Sequence, residues 1–311
     1  MKRNEVKGVQ PFNAIQFKSC YFHQLLAGLS CFNMDKDELL LSFISYIRED
    51  FEIENKAFLE DKEFQKKIGF QNRKCNINKN RLIKCINKGQ PIIVGVDCYY
   101  LESRAETYMT RHAPHFILVY GYDLEKGEAK VVDHDYINSP EYVKNNISLE
   151  NLLFANKMLK RRGDKKFLFC RVLKKRKRER NFTIWDYIDV NRFLENKNHS
   201  HKNLDELKRL FTADLAELKK KTGTIIQYLA ELKIFYFTFS KIRLIADIPE
   251  RIVSIESLMS AYSHLLSLFW KMRAQDNYEY GQKRIENITR KMDEIIALEE
   301  EFYSRILEVK G

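Results

Sequence analysis

A thiol, an imidazole and a carboxylate can be drawn together from Cys20, His115 and Asp133. Cys20 opens an apolar segment, residues 20–29, that reads as a short helix. A helix N-terminus offers free backbone N–H groups and a partial positive charge. Both favour the thiolate, which is the nucleophilic form of cysteine. The Cys20 N–H would point toward an oxyanion forming beside the sulfur, and Gln16, just upstream, is a candidate second donor. His115 opens an apolar run immediately after Pro114, and Asp133 closes the next such run. As neighbouring strands, these runs would let the carboxylate orient the ring and stabilise its protonated form. His112 and His134 compete for the role of base, and Asp135 for that of carboxylate. A metal site built from Cys20, His23, His112 and His115 would match no standard zinc spacing, so the chain itself is expected to hold no metal or other cofactor. Taken singly, each residue has a plainer role: a buried hydrophobe, a core histidine, a turn former.

These side chains need elements to carry them. Residues 35–49 read as a second helix, and Asn78 as the N-cap of one ending at Gly89. Residues 91–101, 115–122, 129–133 and 167–173 read as strands, with Gly127 in a turn. Ser148 caps a helix running to Arg162, and Gly163 ends it. Strands joined by short turns, with helices grouped before them, give an α+β first domain. A nucleophile on a helix, with base and orienting group on adjacent strands in that chain order, is the papain arrangement. From Thr183 onward apolar residues recur at helical spacing, from Leu204 through Leu218 and again from Ile285 to Ile306. That half reads as an all-α antiparallel helical bundle. The expected division is a papain-like catalytic domain over 1–175 and the bundle over 176–311. The bundle is rich in aromatics, Tyr228, Phe235, Tyr236, Phe239 and Trp270 among them. Core packing is their ordinary use; an apolar substrate wall or a homodimer face is the alternative.

Four stretches carry a family resemblance: Ser19-Cys20-Tyr21-Phe22, residues 95–101 (GVDCYYL), residues 112–123 (HAPHFILVYGYD) and Val131-Val132-Asp133. They resemble the butirosin biosynthesis protein H N-terminal domain family, which is distantly similar to bacteriocin-processing cysteine peptidases and papain-like in fold. The resemblance covers most of residues 10–173. It implies Cys20 as nucleophile, His115 as base and Asp133 as orienting residue. The implied activity is acyl transfer, from a phosphopantetheine thioester on an acyl or peptidyl carrier protein to an amine acceptor, in an antibiotic or nonribosomal peptide pathway.

Charge narrows the partners. The net charge is +11, and the run 174–180 alone contributes +5 of it. With Lys160, Arg161 and Arg162 nearby, the excess is concentrated in one region, where Lys174, Lys175 and Arg176 would help dock an acidic carrier protein. A solvated linker is the plainer reading of the run, and binding of nucleic acid is a weaker alternative, since no nucleic-acid module is recognisable. Within the papain-like fold, a cysteine peptidase or amidase and a catalytically inert scaffold also remain open. With 44% apolar and 31% charged residues the chain can build cores and is not broadly disordered. Six scattered cysteines with no CxxC pair give no disulfide framework. No apolar run approaches a membrane span, and residues 1–10 lack a secretion signal, so the expected location is the cytoplasm.

Overall fold

The computed structural model describes residues 2–13, 19–42, 45–55, 58–134, 141–163, 170–179, 190–241, 249–278 and 282–310. The chain divides into two compact units. One comprises residues 1–35 and 59–182; the other comprises 36–58 and 183–311.

The first unit is α+β and centres on an antiparallel sheet. Its strands are β1 (Arg3–Glu5), β4 (Phe70–Cys75), β5 (Ile92–Asp97), β6 (Pro114–Asp123), β7 (Glu128–His134), β8 (Tyr142–Ser148) and β9 (Cys170–Lys175), in the order β4-β9-β5-β6-β7-β8. β6 is long enough to pair with β5 over Pro114–Val119 and with β1 over Gly121–Asp123. A bulge between Val119 and Gly121 marks the change. Gly121 permits it, because a Cβ there would come within 2.9 Å of Glu5 Cβ and 3.0 Å of Asn4 O. β5 is buried at every residue and β6 at all but its first. Such strands read as unbroken apolar runs only when both faces of the sheet are covered.

Helix α1 (Cys20–Ser30) lies on β5 and β6. Its Gly28 meets Leu118 and Leu173 so closely that a side chain there would collide. Helices α3 (Lys62–Ile68) and α4 (Lys79–Asn87) are capped by Asp61 and Asn78, whose side chains accept from the N–H of Phe64 and Arg81. Helix α5 (Leu149–Arg162) runs from the Ser148 cap to Gly163, which takes the left-handed conformation, as the sequence anticipates.

Among the described residues, the second unit holds α2 (Lys36–Leu41), a hairpin of β2 (Ser45–Ile47) and β3 (Ile53–Asn55), and four long helices. These are α6 (Val190–Ala213), α7 (Leu215–Ser240), α8 (Pro249–Gln275) and α9 (Gln282–Lys310). α7 packs on α8, α8 on α9, α9 on α6 and α6 on α7. Phe235, Tyr236, Phe239, Tyr262 and Phe302 interlock as its core, whereas Trp270 is exposed. Asp214 interrupts the stripe from Leu204 to Leu218 by capping α7, its carboxylate accepting from the Glu217 N–H.

The structure departs from the sequence reading at residues 35–49 and at the unit boundary. The expected single helix stops at Leu41, and a hairpin follows, so the second unit is not wholly helical. Asn196 and Asn203 of α6 hold that hairpin: Ile47 N–H and Phe51 N–H donate to them, and Asn203 donates to Arg48 O. Residues 36–58 therefore belong with the bundle, although they precede most of the first unit in the chain. The run from Lys174 is likewise not a free linker at its start. Lys174 and Lys175 lie in β9, and the N–H groups of Arg176 and Glu179 donate to Gly69 O and Lys67 O.

Candidate active site

Three elements of the first unit converge on one point. α1 begins at Cys20, β6 brings His115 in at its second residue, and β7 ends one residue after Asp133. The β6–β7 pairing places Asp133 beside the ring: His115 Nε2 lies 2.8 Å from Asp133 Oδ1. Asp133 engages one ring nitrogen only, and His115 is the neighbour that most favours the Cys20 thiolate. His115 is 9% exposed and Asp133 4%.

Burial resists charge on Cys20, but the His115 hydrogen bond and charge, with the N–H groups of Phe116 and Tyr21, outweigh it and hold the thiol below its usual range. Burial also opposes the imidazolium. The Asp133 carboxylate and the Cys20 thiol overcome it and raise His115 to about 9. Asp133 is buried as well, yet His115, Arg104 and the His134 N–H outweigh burial and lower its carboxyl. Both shifts favour a thiolate–imidazolium pair beside an aligned carboxylate. Such a set can attack an acyl carbon, hold the acyl group on sulfur and return a proton to a leaving group.

The competing residues go elsewhere. His112 Nδ1 lies 2.8 Å from Asp97 Oδ2, and its ring stacks on Tyr99. His134 packs against Tyr142, and burial together with the His115 and Arg104 charges lowers it to about 4. His23 Nδ1 lies 3.0 Å from Phe12 O. Gln16 and Asp135 lie outside the described residues.

Sequence reasoning missed Arg104. It sits in the connection between β5 and β6, 5% exposed. Its Nη2 donates to Asp133 Oδ1 and lies 2.9 Å from His115 Nε2. Asp97 closes the ends of that connection. Its carboxylate accepts from Tyr99 N–H and Ala113 N–H, and it holds His112 and Arg162 Nη1. Asp97 and His112 fall within stretches singled out in the sequence; a lone arginine in a polar loop gives no such signal.

The docking candidates separate. Arg162 is turned to Asp97, while Lys160 and Arg161 share the last turn of α5. Lys174 and Lys175 are exposed on β9. Arg176 donates to Gln71 and helps line a groove of about 1000 Å³. That groove also takes Lys62, Lys66, Arg73, Lys74, Arg171 and Lys177, against one carboxylate, Glu60. Its wall reaches Tyr21, the residue after Cys20: Asn72 donates to the Tyr21 hydroxyl and the Arg171 guanidinium lies over the ring.

Comparison with known families supports part of the resemblance. Residues 58–134 match the family described as butirosin biosynthesis protein H, N-terminal. Over that stretch the chain is similar to this family. The match takes in Arg104, His115 and Asp133, and Cys20 lies ahead of it. No curated protein matches the chain significantly. The family is one of antibiotic biosynthesis. No helix among the described residues is long and apolar enough to cross a membrane.

Proposed function

We propose that the protein is a thiol-dependent acyltransferase, moving an acyl group from a carrier-protein phosphopantetheine thioester to an amine. The observation that carries this reading is the Cys20–His115–Asp133 alignment, with the thiol lowered and the imidazole raised. The Cys20 thiolate attacks the thioester carbonyl, and the oxyanion lies near the free N–H groups that begin α1. The carbon–sulfur bond to pantetheine breaks, and His115 protonates the departing thiol. Acyl-Cys20 remains. A neutral amine then attacks, His115 takes its proton, the amide forms and the Cys20 thiolate is released. Asp133 keeps the ring aligned through both halves.

The basic groove supports a carrier as donor. Carrier proteins are commonly acidic, and a cationic groove whose Asn72 and Arg171 contact Tyr21, the residue after the nucleophile, would steer one toward Cys20. The test is an assay of an acylated carrier protein with a panel of primary amines, scoring amide and free acid separately. Amide that requires Cys20 supports the proposal. Free acid alone, with every amine, would mark a hydrolase of the same chemistry instead.

A further inference from the structure

We infer that Arg104 is a positioning residue of this site: its guanidinium locks the Asp133 carboxylate against His115 and opposes the positive charge on the ring. The inference rests on the reading of Cys20 and His115 as nucleophile and base. Three donors meet at one oxygen, Asp133 Oδ1: Arg104 Nη2, His115 Nε2 and the His134 N–H. Rotating the carboxylate would break all three at once. A buried ion pair is a costly way to gain stability, so one held beside a base calls for another account. The loop that Asp97 closes supplies it, because it delivers the guanidinium to a fixed place.

The geometry also makes Arg104 a competitor. When Nε2 carries a proton and donates to Asp133, the other ring nitrogen is free to serve the thiol. When Nε2 is bare, Arg104 can donate to it across 2.9 Å. That second arrangement puts the neutral ring's proton on the nitrogen facing Cys20 and removes the base. Asp133 selects the first arrangement, and Arg104 limits how strongly the imidazolium is stabilised. Among the described residues, Cys20 and His134 also face the ring, and Cys98, Glu106 and Tyr142 lie near Arg104 or Asp133; Glu106 is 3.5 Å from Arg104 Nη1.

The test is the pH profile of Cys20 acylation by an acyl-pantetheine thioester, together with the ¹⁵N titration of the His115 ring. In Arg104→Met the alkaline limb and the ring titration should both move up by about one pH unit, the size of a neighbouring-charge effect. Arg104→Lys keeps the charge and should leave both near the wild-type position. An unmoved limb and ring titration in Arg104→Met, with only rate or thermal stability lost, would make the residue structural and overturn the inference. If Arg104→Met does not fold, the isosteric Asp133→Asn decides. There the ring should titrate below the ordinary histidine value, with Nε2 accepting from Arg104; a ring titrating at or above that value would overturn the inference. Wild-type protein that is never acylated would sink the acyltransferase reading instead, and the ring titration would still report on Arg104.

Discussion

Cys20 stands apart from the other cysteines through its surroundings. Burial pushes Cys31, Cys98 and Cys170 up to about 12 and also raises Cys75 and Cys85, whereas Cys20 is lowered by His115. Brief iodoacetamide treatment of the native protein at pH 7 should therefore modify Cys20 at least about tenfold faster than any other cysteine, as read by peptide mass. Preferential labelling of Cys31 or Cys75 would contradict the ion pair. The pH dependence follows from the same shifts. Acylation, which uses both thiolate and imidazolium, should fail as pH falls through the lowered value of Cys20 and again as it rises past about 9. Cys20, His115 and Asp133 were legible in the sequence because each stands at the start or end of an apolar element, where a side chain can face a cleft. Arg104 was not. Its place depends on a loop closed by Asp97, and no local pattern announces that closure.

At the scale of elements, what could be read follows hydrophobicity. β5 and β6 are near-continuous apolar runs buried in the sheet, and β7 carries the buried pair Val131-Val132. β4 (FQNRKC) and β8 (YVKNNIS) are polar edge strands, and nothing in their composition separates them from loops. Residues 35–49 misled because Leu39, Leu40, Tyr46 and Ile47 suit one helical face as well as a helix followed by a strand. Two elements carry predictions. Gly28 seats α1 on Leu118 and Leu173, so Gly28→Val should cost roughly 1–3 kcal/mol by overpacking and slow Cys20 labelling, since it lifts the nucleophile's helix. Thermal unfolding and the labelling rate check it together. In the bundle, Glu299 is fully buried and accepts from Tyr236, Tyr262 and Ser200, with His201 3.5 Å away. Burial raises its carboxyl to about 7. The protonated form is favoured in the folded state, so this stability is full below the usual value of 4.5 and is lost as pH rises toward 7. Glu299→Gln, which is never ionised, should recover on the order of 2–3 kcal/mol relative to wild type at pH 8, and little at pH 4. Denaturant unfolding at the two pH values measures the difference; an equal effect at both would contradict it.

For the whole molecule, the chain crosses between units more than once, and this was the least legible feature. Residues 36–58 pack with α6 and α7, whose sequence lies beyond residue 189, and a contact over that span leaves no local trace. A fragment of residues 1–175 would carry Leu39, Leu40, Tyr46 and Ile47, core residues of the second unit, without their partners. It should aggregate or elute with an enlarged radius in size-exclusion chromatography, whereas a compact monomer would contradict the division. The basic groove adds a prediction about association. Acylation from a carrier protein should weaken steeply with salt, and Arg73→Glu with Lys74→Glu should raise KM for the carrier while leaving acylation by free acyl-pantetheine unchanged.

The central claim is that Cys20 takes an acyl group with His115 as its base. Intact-protein mass after mixing with acyl-pantetheine thioesters tests it most directly. Wild type should gain one acyl group transiently, Cys20→Ala should gain none, and His115→Ala should gain it far more slowly. An adduct that persists in Cys20→Ala, or none in wild type with any thioester, would contradict the account.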